Sequence, residues 1–128
     1  MPTPTPCHCG QPQSFSECCG RFIEGAAAAQ TAEQLMRSRY SAFVEEDEAY
    51  LLASWHASTR PSRVRFNPDQ HWLGLSIKST QAGGSGDASG KVEFVARYKI
   101  HGRGHRLHEI SRFEQLDGRW YYLDGEHR

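Results

Sequence analysis

Four cysteines lie within the first nineteen residues, and the rest of the 128-residue chain contains none. They form two close pairs, Cys7 with Cys9 and Cys18 with Cys19. Four thiolates on so short a segment can surround one tetrahedral ion, and zinc is the ion that four-thiolate structural sites most often hold. The spacing therefore predicts one structural Zn²⁺ with these four cysteines as its ligands. Spacing alone does not separate zinc from iron, but a single isolated site suits a redox-inert ion.

Two cysteines one residue apart can grip one ion only if the chain turns sharply behind them. Glycine permits such a turn, and Gly10 follows Cys9 while Gly20 follows Cys19. A segment of about twenty residues cannot bury enough apolar surface to order itself, so metal binding would supply most of its folding free energy. The small residues of 25–29 read as a linker, which predicts a zinc segment over 1–24 and a separate domain over 25–128.

The alternative for the cysteines is a pair of disulfides or a redox dithiol. A bridge from Cys7 to Cys9, or from Cys18 to Cys19, would be strained by the short distance between their backbones. Residues 1–6 lack the basic start and apolar run of a secretion signal, which favours a reducing compartment and therefore a metal. His8 could replace one thiolate, but a ligand between two such close ligands would crowd the ion.

The cysteine spacing resembles the SEC-C motif, named for its place at the C-terminus of the translocation ATPase SecA. The matching pattern is Cys7-x-Cys9-Gly10, a gap of eight residues, and Cys18-Cys19-Gly20. The resemblance implies zinc, with Cys19 in the position of the fourth ligand. In SecA this motif contacts a chaperone and the ribosome, which implies a protein or RNA partner here. The lysines that precede the last pair in that family are replaced by Ser14-Phe15-Ser16-Glu17, which weakens the transfer of an acidic or RNA partner.

Length and charge limit what the remaining residues can be. About 100 residues follow the cysteine segment, which is enough for one compact domain and too few for two. Fifteen basic and fifteen acidic residues give a formal charge of zero, so there is no strong nucleic-acid signal and phosphate binding would need a local patch. No apolar run is long enough to span a membrane. We expect a soluble, cytoplasmic protein with no membrane partner.

The order of elements predicts helices first and strands afterwards. Thr31 followed by Gln34 is a capping-box pattern, and a second helix is expected near Asp47. The first helix should bury one face made of Leu35, Met36, Tyr40, Phe43 and Val44. From Trp72 the period changes to two, with one predicted strand face made of Leu73, Leu75 and Ile77 and another made of Val92, Phe94, Ala96, Tyr98 and Ile100. These patterns predict an α+β fold with an antiparallel sheet.

Asp117-Gly118 favours a two-residue hairpin turn, and this turn sets a predicted register. Counting outward from it places Leu116 opposite Arg119, Gln115 opposite Trp120, Phe113 opposite Tyr122 and Ser111 opposite Asp124. One face would then carry Glu109, Ser111, Phe113, Trp120, Tyr122 and Asp124, a combination of aromatic and polar groups that could line a pocket. The alternative is that the polar groups lie at the open end of the hairpin and are solvated.

Most of the chain also resembles the YchJ family of bacterial proteins. The matching stretches are Leu35-Met36-Arg37-Ser38-Arg39-Tyr40-Ser41-Ala42-Phe43, Trp55-His56, His108-Glu109-x-Ser111-x-Phe113 and Gly118-Arg119-Trp120-Tyr121-Tyr122. The resemblance implies a SEC-C motif joined to a domain similar to nuclear transport factor 2, in which two to three helices pack against a curved antiparallel sheet to form a cone. It implies no substrate. Relatives of the cone domain include isomerases and dehydratases, and also domains that only bind ligands or dimerise.

These observations lead to two functional hypotheses. The first is a non-catalytic adaptor whose zinc segment binds a protein or RNA partner. The alternative is a small enzyme or small-molecule binder that acts inside the cone through Glu109 and Asp124, with His56 or His108 as a further acid-base candidate. Two basic stretches, Arg60 to Arg65 and His101 to Arg106, are more typical of solvated loops than of sites.

Overall fold

Helices come first along the chain and strands follow, as predicted. The computed structural model describes residues 6–128. Residues 1–5, which contribute to the prediction that no secretion signal is present, lie outside the described part. After a 3-10 turn at Phe15–Glu17, the elements are α1 (Cys19–Ile23), α2 (Ala32–Val44), α3 (Glu48–Ala53), β1 (Gln70–Ala82), β2 (Ser89–Ile100), β3 (Arg103–Leu116) and β4 (Arg119–His127). The strands form one antiparallel sheet in the order β1-β2-β3-β4. This is the predicted α+β fold, with three helices packed on a four-stranded sheet.

The two longer predicted helices begin at the residues that the sequence indicated. The Thr31 hydroxyl accepts a hydrogen bond from the Gln34 amide at 3.1 Å, and the Asp47 carboxylate accepts one from the Tyr50 amide at 3.0 Å. Each bond satisfies a backbone donor that has no partner within its own helix. Helix α2 contacts β1, β2 and β4, so its apolar face covers the inner side of the sheet.

Strand β1 departs from the predicted alternation near its start. Leu73 was expected on the same face as Leu75 and Ile77, but its side chain is 56% exposed. The register shifts between Trp72 and Gly74, so Trp72 packs against the core instead. An extra residue in one strand reverses the facing of the residues beyond it. The prediction for Leu73 was therefore wrong, while Leu75 and Ile77 do pack against the core.

The β3–β4 hairpin confirms the predicted register near its turn and departs from it further away. Asp117 and Gly118 have φ angles of 50° and 78°, and Leu116, Gln115 and Phe113 face their predicted partners. An irregularity at Arg112/Phe113 leaves Leu123 without a partner, so Arg112 faces Asp124 and Ser111 faces Gly125. The pairing of Ser111 with Asp124 was therefore wrong.

The cysteine segment is part of the same core as the helices and the sheet. All four cysteines are buried and belong to one cluster with residues of α2 and the sheet, including Leu35, Phe94 and Phe113. The proposed division into 1–24 and 25–128 stays a prediction about sequence units, because in space the two are packed together. Within residues 6–128, no helix combines the length and the apolar character needed to cross a membrane.

Candidate metal centre and cone interior

The four cysteine side chains converge on one point. Their sulfur atoms all lie within 4.8 Å of one another, and Sγ of Cys9 is 3.7 Å from Sγ of Cys18. Four sulfurs bonded to a tetrahedral zinc at about 2.3 Å would be about 3.8 Å apart, whereas the sulfurs of a disulfide are about 2 Å apart. All four cysteines are free. The group therefore has the composition and the spacing of a metal centre rather than of two disulfides.

Backbone turns on both sides of the cysteines produce this convergence. The Cys7 amide donates to the Gln13 carbonyl at 2.8 Å and so closes the first loop, and Gly10 has a φ angle of 94° that favours glycine. Gly20 has a different role from the predicted turn. A Cβ at this position would lie 2.8 Å from the carbonyl oxygen of Phe15, so glycine is needed for the close approach of the preceding loop.

Helix α2 and the residue that follows it, Glu45, hold the cysteine segment through three polar contacts. Arg37 donates from Nη1 to the Cys9 carbonyl at 2.8 Å, and Sγ of Cys7 lies 3.6 Å from the Ser41 hydroxyl. His8 points outward, with Nε2 3.1 Å from a carboxylate oxygen of Glu45. This position agrees with the expectation that His8 is not a ligand.

The thiols influence each other's ionisation strongly. A hydrogen bond from the Cys19 thiol is the main factor that lowers the pKa of Cys9 to about 5, and the same contact raises the pKa of Cys19. Burial, followed by the charge of Cys9, raises the pKa of Cys18 to about 12. One thiolate therefore forms easily and opposes the next, and a divalent cation would supply the charge that lets all four ionise.

Five of the predicted pocket residues share the inner face of the sheet. They are Glu109, Ser111, Phe113, Trp120 and Tyr122. The rings of Phe113 and Tyr122 are 5.8 Å apart, and the Trp120 indole donates to the Gln30 carbonyl at 3.1 Å. Trp120 thus ties the sheet to the residues just before α2, while Glu109 and Ser111 lie further from the turn on the same face.

The other acid-base candidates lie away from the inner face of the sheet, and His56 belongs to the loop after α3. Asp124 forms a two-bond ion pair with Arg112, with N···O distances of 2.6 and 2.5 Å, and this contact lowers the pKa of Asp124. His56 pairs with Glu114 at 2.9 Å. His108 pairs with Glu93 at 2.7 Å. The structure therefore does not bring Asp124, His56 or His108 to Glu109. The extra residue in β4 turns Asp124 away from the inner face. Each histidine instead pairs with an acidic residue away from that face.

Arg39 is the residue of the cone interior that sequence reasoning missed. Its side chain is 3% exposed, and its guanidinium carbon lies 4.5 Å from the ring centre of Tyr122 and 4.9 Å from that of Trp55. Nη1 donates to the Leu51 carbonyl at 2.8 Å and to the Ser54 hydroxyl at 2.6 Å. The helical period could have indicated that Arg39 is buried, since it lies three residues after Met36 on the same face of the helix.

Glu109 reaches the same place from the sheet. Burial raises the pKa of its carboxyl group, while the charge of His127 and then a hydrogen bond from the Tyr122 hydroxyl act in the opposite direction. Burial is also the main factor that raises the pKa of Tyr122 to about 12. Gly125 provides the space that this carboxyl group occupies, since a Cβ there would collide with Oε1 of Glu109.

The comparison with known families agrees with this architecture. Residues 31–125, most of the chain, match the family model described as YchJ, middle NTF2-like domain. The chain belongs to the YchJ family. The YchJ match covers α2, α3 and nearly all of the sheet, and it begins after the four cysteines. The predicted resemblance to this family is confirmed.

Relatives of this YchJ-family chain align over nearly its whole length. A UPF0225 protein of Streptomyces coelicolor is 54% identical over 126 residues, which cover 98% of this chain and 98% of the relative. A UPF0225 protein of Methylibium petroleiphilum is 52% identical, with 96% of this chain and 89% of the relative covered.

Solved structures extend the likeness to the cysteine segment. The solution structure of a SEC-C motif containing protein from Rhodopseudomonas palustris is 30% identical and superposes with a TM-score of 0.83, over 95% of this chain and 98% of that one. The crystal structure of a SEC-C motif containing protein from Psychrobacter arcticus gives a TM-score of 0.78 over 95% of this chain and 82% of that one. At 24% identity the second likeness shows the fold alone. The YchJ-family chain thus combines an NTF2-like domain with a SEC-C cysteine cluster.

Proposed function

We propose that this YchJ-family protein is a zinc-dependent interaction adaptor. Cys7, Cys9, Cys18 and Cys19 hold one Zn²⁺, and the loops around the ion bind a partner. The observation that carries the proposal is the convergence of four buried thiols within 4.8 Å of one another, with one pair separated by 3.7 Å as in a tetrahedral zinc site. A thiolate site of this kind requires reduced cysteines, so the protein acts in the cytoplasm.

The exposed residues of the cysteine segment, residues 7–24, have a composition that favours a protein partner over RNA. Gly10, Pro12, Gln13, Ser16 and Glu17 are exposed around the buried thiols. Residues 7–24 contain two acidic residues and one arginine, so the segment lacks the cationic patch that a phosphate backbone requires. The anchoring of this segment on α2 by Arg37 and Ser41 keeps the exposed loop in one orientation, which reduces the entropy lost on binding.

An enzyme that uses Glu109 and Asp124 together receives no support from the geometry. The two carboxyl groups lie on opposite faces of the sheet, and Asp124 is engaged by Arg112. We therefore do not propose catalysis by this pair.

The first test is the metal content of protein purified without a chelator. We expect about one zinc per chain, measured by elemental analysis, and its loss in Cys7→Ser while the circular dichroism spectrum of the sheet is retained. A protein without metal and with oxidised cysteines would overturn the zinc assignment, and iron in place of zinc would correct the ion.

The second test separates partner binding from folding of the segment. The double variant Pro12→Ala/Gln13→Arg alters the exposed loop and should keep its zinc, because neither side chain belongs to the cysteine cluster. In cross-linking from nuclease-treated cell extract, we expect one protein to be captured by the wild type and lost with both this variant and Cys7→Ser. Arg63→Ala, on the exposed loop before β1, is the matched control and should leave capture unchanged. Capture that survives the loss of zinc would overturn the adaptor.

A further inference from the structure

Two buried hydrogen-bonding groups in the cone have no partner within residues 6–128. They are the indole nitrogen Nε1 of Trp55 and the hydroxyl of Ser111. Ser111 is 1% exposed, so solvent does not reach its side chain. Buried polar groups of folded proteins are nearly always satisfied, and a group without a protein partner indicates a bound molecule or a cost to stability.

Both groups belong to one polar cluster, which we define as Arg39, Trp55, Glu109, Ser111 and Tyr122. The guanidinium of Arg39 packs on the rings of Trp55 and Tyr122, whose centres are 5.1 Å apart. Glu109 and Tyr122 influence each other's pKa, so their polar groups are close, and Ser111 lies two residues after Glu109 on the same face of β3. Arg39, Trp55 and Tyr122 therefore link α2 to the sheet, and Glu109 and Ser111 lie on the same inner face of the sheet as Tyr122.

Arg39 forms no ion pair within the described chain, although the charge of Glu109 acts on it from a greater distance. Its side chain is buried. Although burial lowers the pKa of Arg39 to about 10, the guanidinium stays charged at neutral pH. A buried charge is normally paired, because its transfer from water is costly. Only Nη1 has hydrogen-bond acceptors from the described protein, which leaves other N–H groups of the fork free.

We infer that this cluster is a binding site for a small carboxylate compound. The free N–H groups of Arg39, the Trp55 indole and the Ser111 hydroxyl are all donors suited to carboxylate oxygens, and a planar guanidinium fork matches a planar carboxylate. The rings of Trp55, Tyr122 and Phe113 provide an apolar wall for the rest of the compound. Glu109 and Tyr122 are partly exposed, and Glu109 lies against Gly125, so we place the entrance on this side of the cluster.

The indole N–H signals of tryptophan test this inference directly. The chain has three tryptophans, and Trp120 serves as an internal control because its N–H is already bonded to Gln30. The protein, loaded with its metal, is titrated with sodium acetate, butyrate or benzoate against sodium chloride at equal ionic strength, and ¹H–¹⁵N spectra are recorded. We expect a saturable shift of the Trp55 signal with at least one carboxylate, while the Trp120 signal stays fixed.

Variants that each remove one hydrogen-bonding group then locate the bound molecule. Ser111→Ala removes one unpartnered hydroxyl, and Trp55→Phe removes one unpartnered N–H. Each should weaken the carboxylate about tenfold or more, the expected effect of losing a hydrogen bond to a charged group. Without ligand, Ser111→Ala should raise the melting temperature by roughly 4 °C, because the cost of an unsatisfied hydroxyl is removed. Ser79→Ala, whose hydroxyl bonds to Glu93 on the outer face, is the control and should not change affinity.

Two results would overturn the inference. One is the absence of a saturable Trp55 response to all three carboxylates, with a long-lived water molecule detected beside the indole N–H, which would assign the cluster to buried water. The other is a Trp55 shift of equal affinity in the wild type and in Ser111→Ala, which would place the carboxylate outside the cluster.

Discussion

The environment of Glu109 in the cone favours one protonation state of its carboxyl group. Burial raises the pKa of its carboxyl group above the value of an unfolded chain, and His127, Tyr122 and Arg39 only partly oppose this effect. Folding therefore favours the protonated acid. The contribution of Glu109 to stability is largest below its unfolded pKa of about 4.3 and declines as the pH rises through the folded pKa.

Glu109→Gln should remove this dependence. The amide resembles the protonated acid in shape and cannot ionise. The variant should be close to the wild type in free energy of unfolding at acidic pH and more stable than it at neutral pH. Urea unfolding at several pH values measures the difference, and His108→Gln on the outer face controls for general charge effects. A constant difference at every pH would show that Glu109 does not titrate as described.

At the scale of the elements, irregularities in two strands decide which side chains enter the cone. The shift in β1 turns Leu73 outward and Trp72 inward, and the extra residue in β4 turns Asp124 outward and places Gly125 opposite Ser111. Each changes the facing of the residues that follow it, in β1 as far as a second shift between Ile77 and Ser79. The β4 irregularity thus replaces a carboxylate by a glycine on the inner face, which creates the space for Glu109.

Gly125→Ala should disturb this arrangement. The new Cβ would collide with Glu109, so the carboxyl group must move and its bond to Tyr122 is lost. We expect a loss of about 1–3 kcal/mol in the free energy of unfolding, as for other overpacked sites. Gly74→Ala, another strand glycine with no described atom within 4 Å of the new Cβ, should have little effect. Equal effects of the two substitutions would contradict the crowding of Glu109.

At the scale of the whole molecule, the cysteine segment and the cone form one packed body. The cysteines share a core with α2 and the sheet, and Arg37 and Ser41 bond to the segment. A metal ion bound to these cysteines would therefore do more than order a short loop, because it would also support a surface of α2.

Chelation should release this segment while the sheet remains folded. We expect the melting temperature to fall by roughly 5 °C or more on removal of the metal, with recovery when zinc is restored. Hydrogen exchange should speed up in residues 7–24 and at the start of α2, and remain slow in the centre of β2. Uniformly faster exchange across the sheet would show that the cone cannot fold without the metal.

The amino-acid sequence by itself determined the features that depend on short-range interactions. Cysteine spacing, the caps at Thr31 and Asp47, and the Asp117-Gly118 turn each involve residues close in the chain, and each is present in the structure. The order of helices and strands follows from the same local patterns. These properties can be read without knowing which elements meet.

Only the tertiary structure decided which of the candidate residues work together. Asp124 was expected beside Ser111 and lies on the other face, while Arg39, 70 positions before Glu109 in the chain, lies in the same cluster. The strand irregularities and the packing of the cysteine segment on α2 depend on many long-range contacts acting at once. A local sequence pattern does not depend on such contacts, so the residues of the cone interior could be identified only from the tertiary structure.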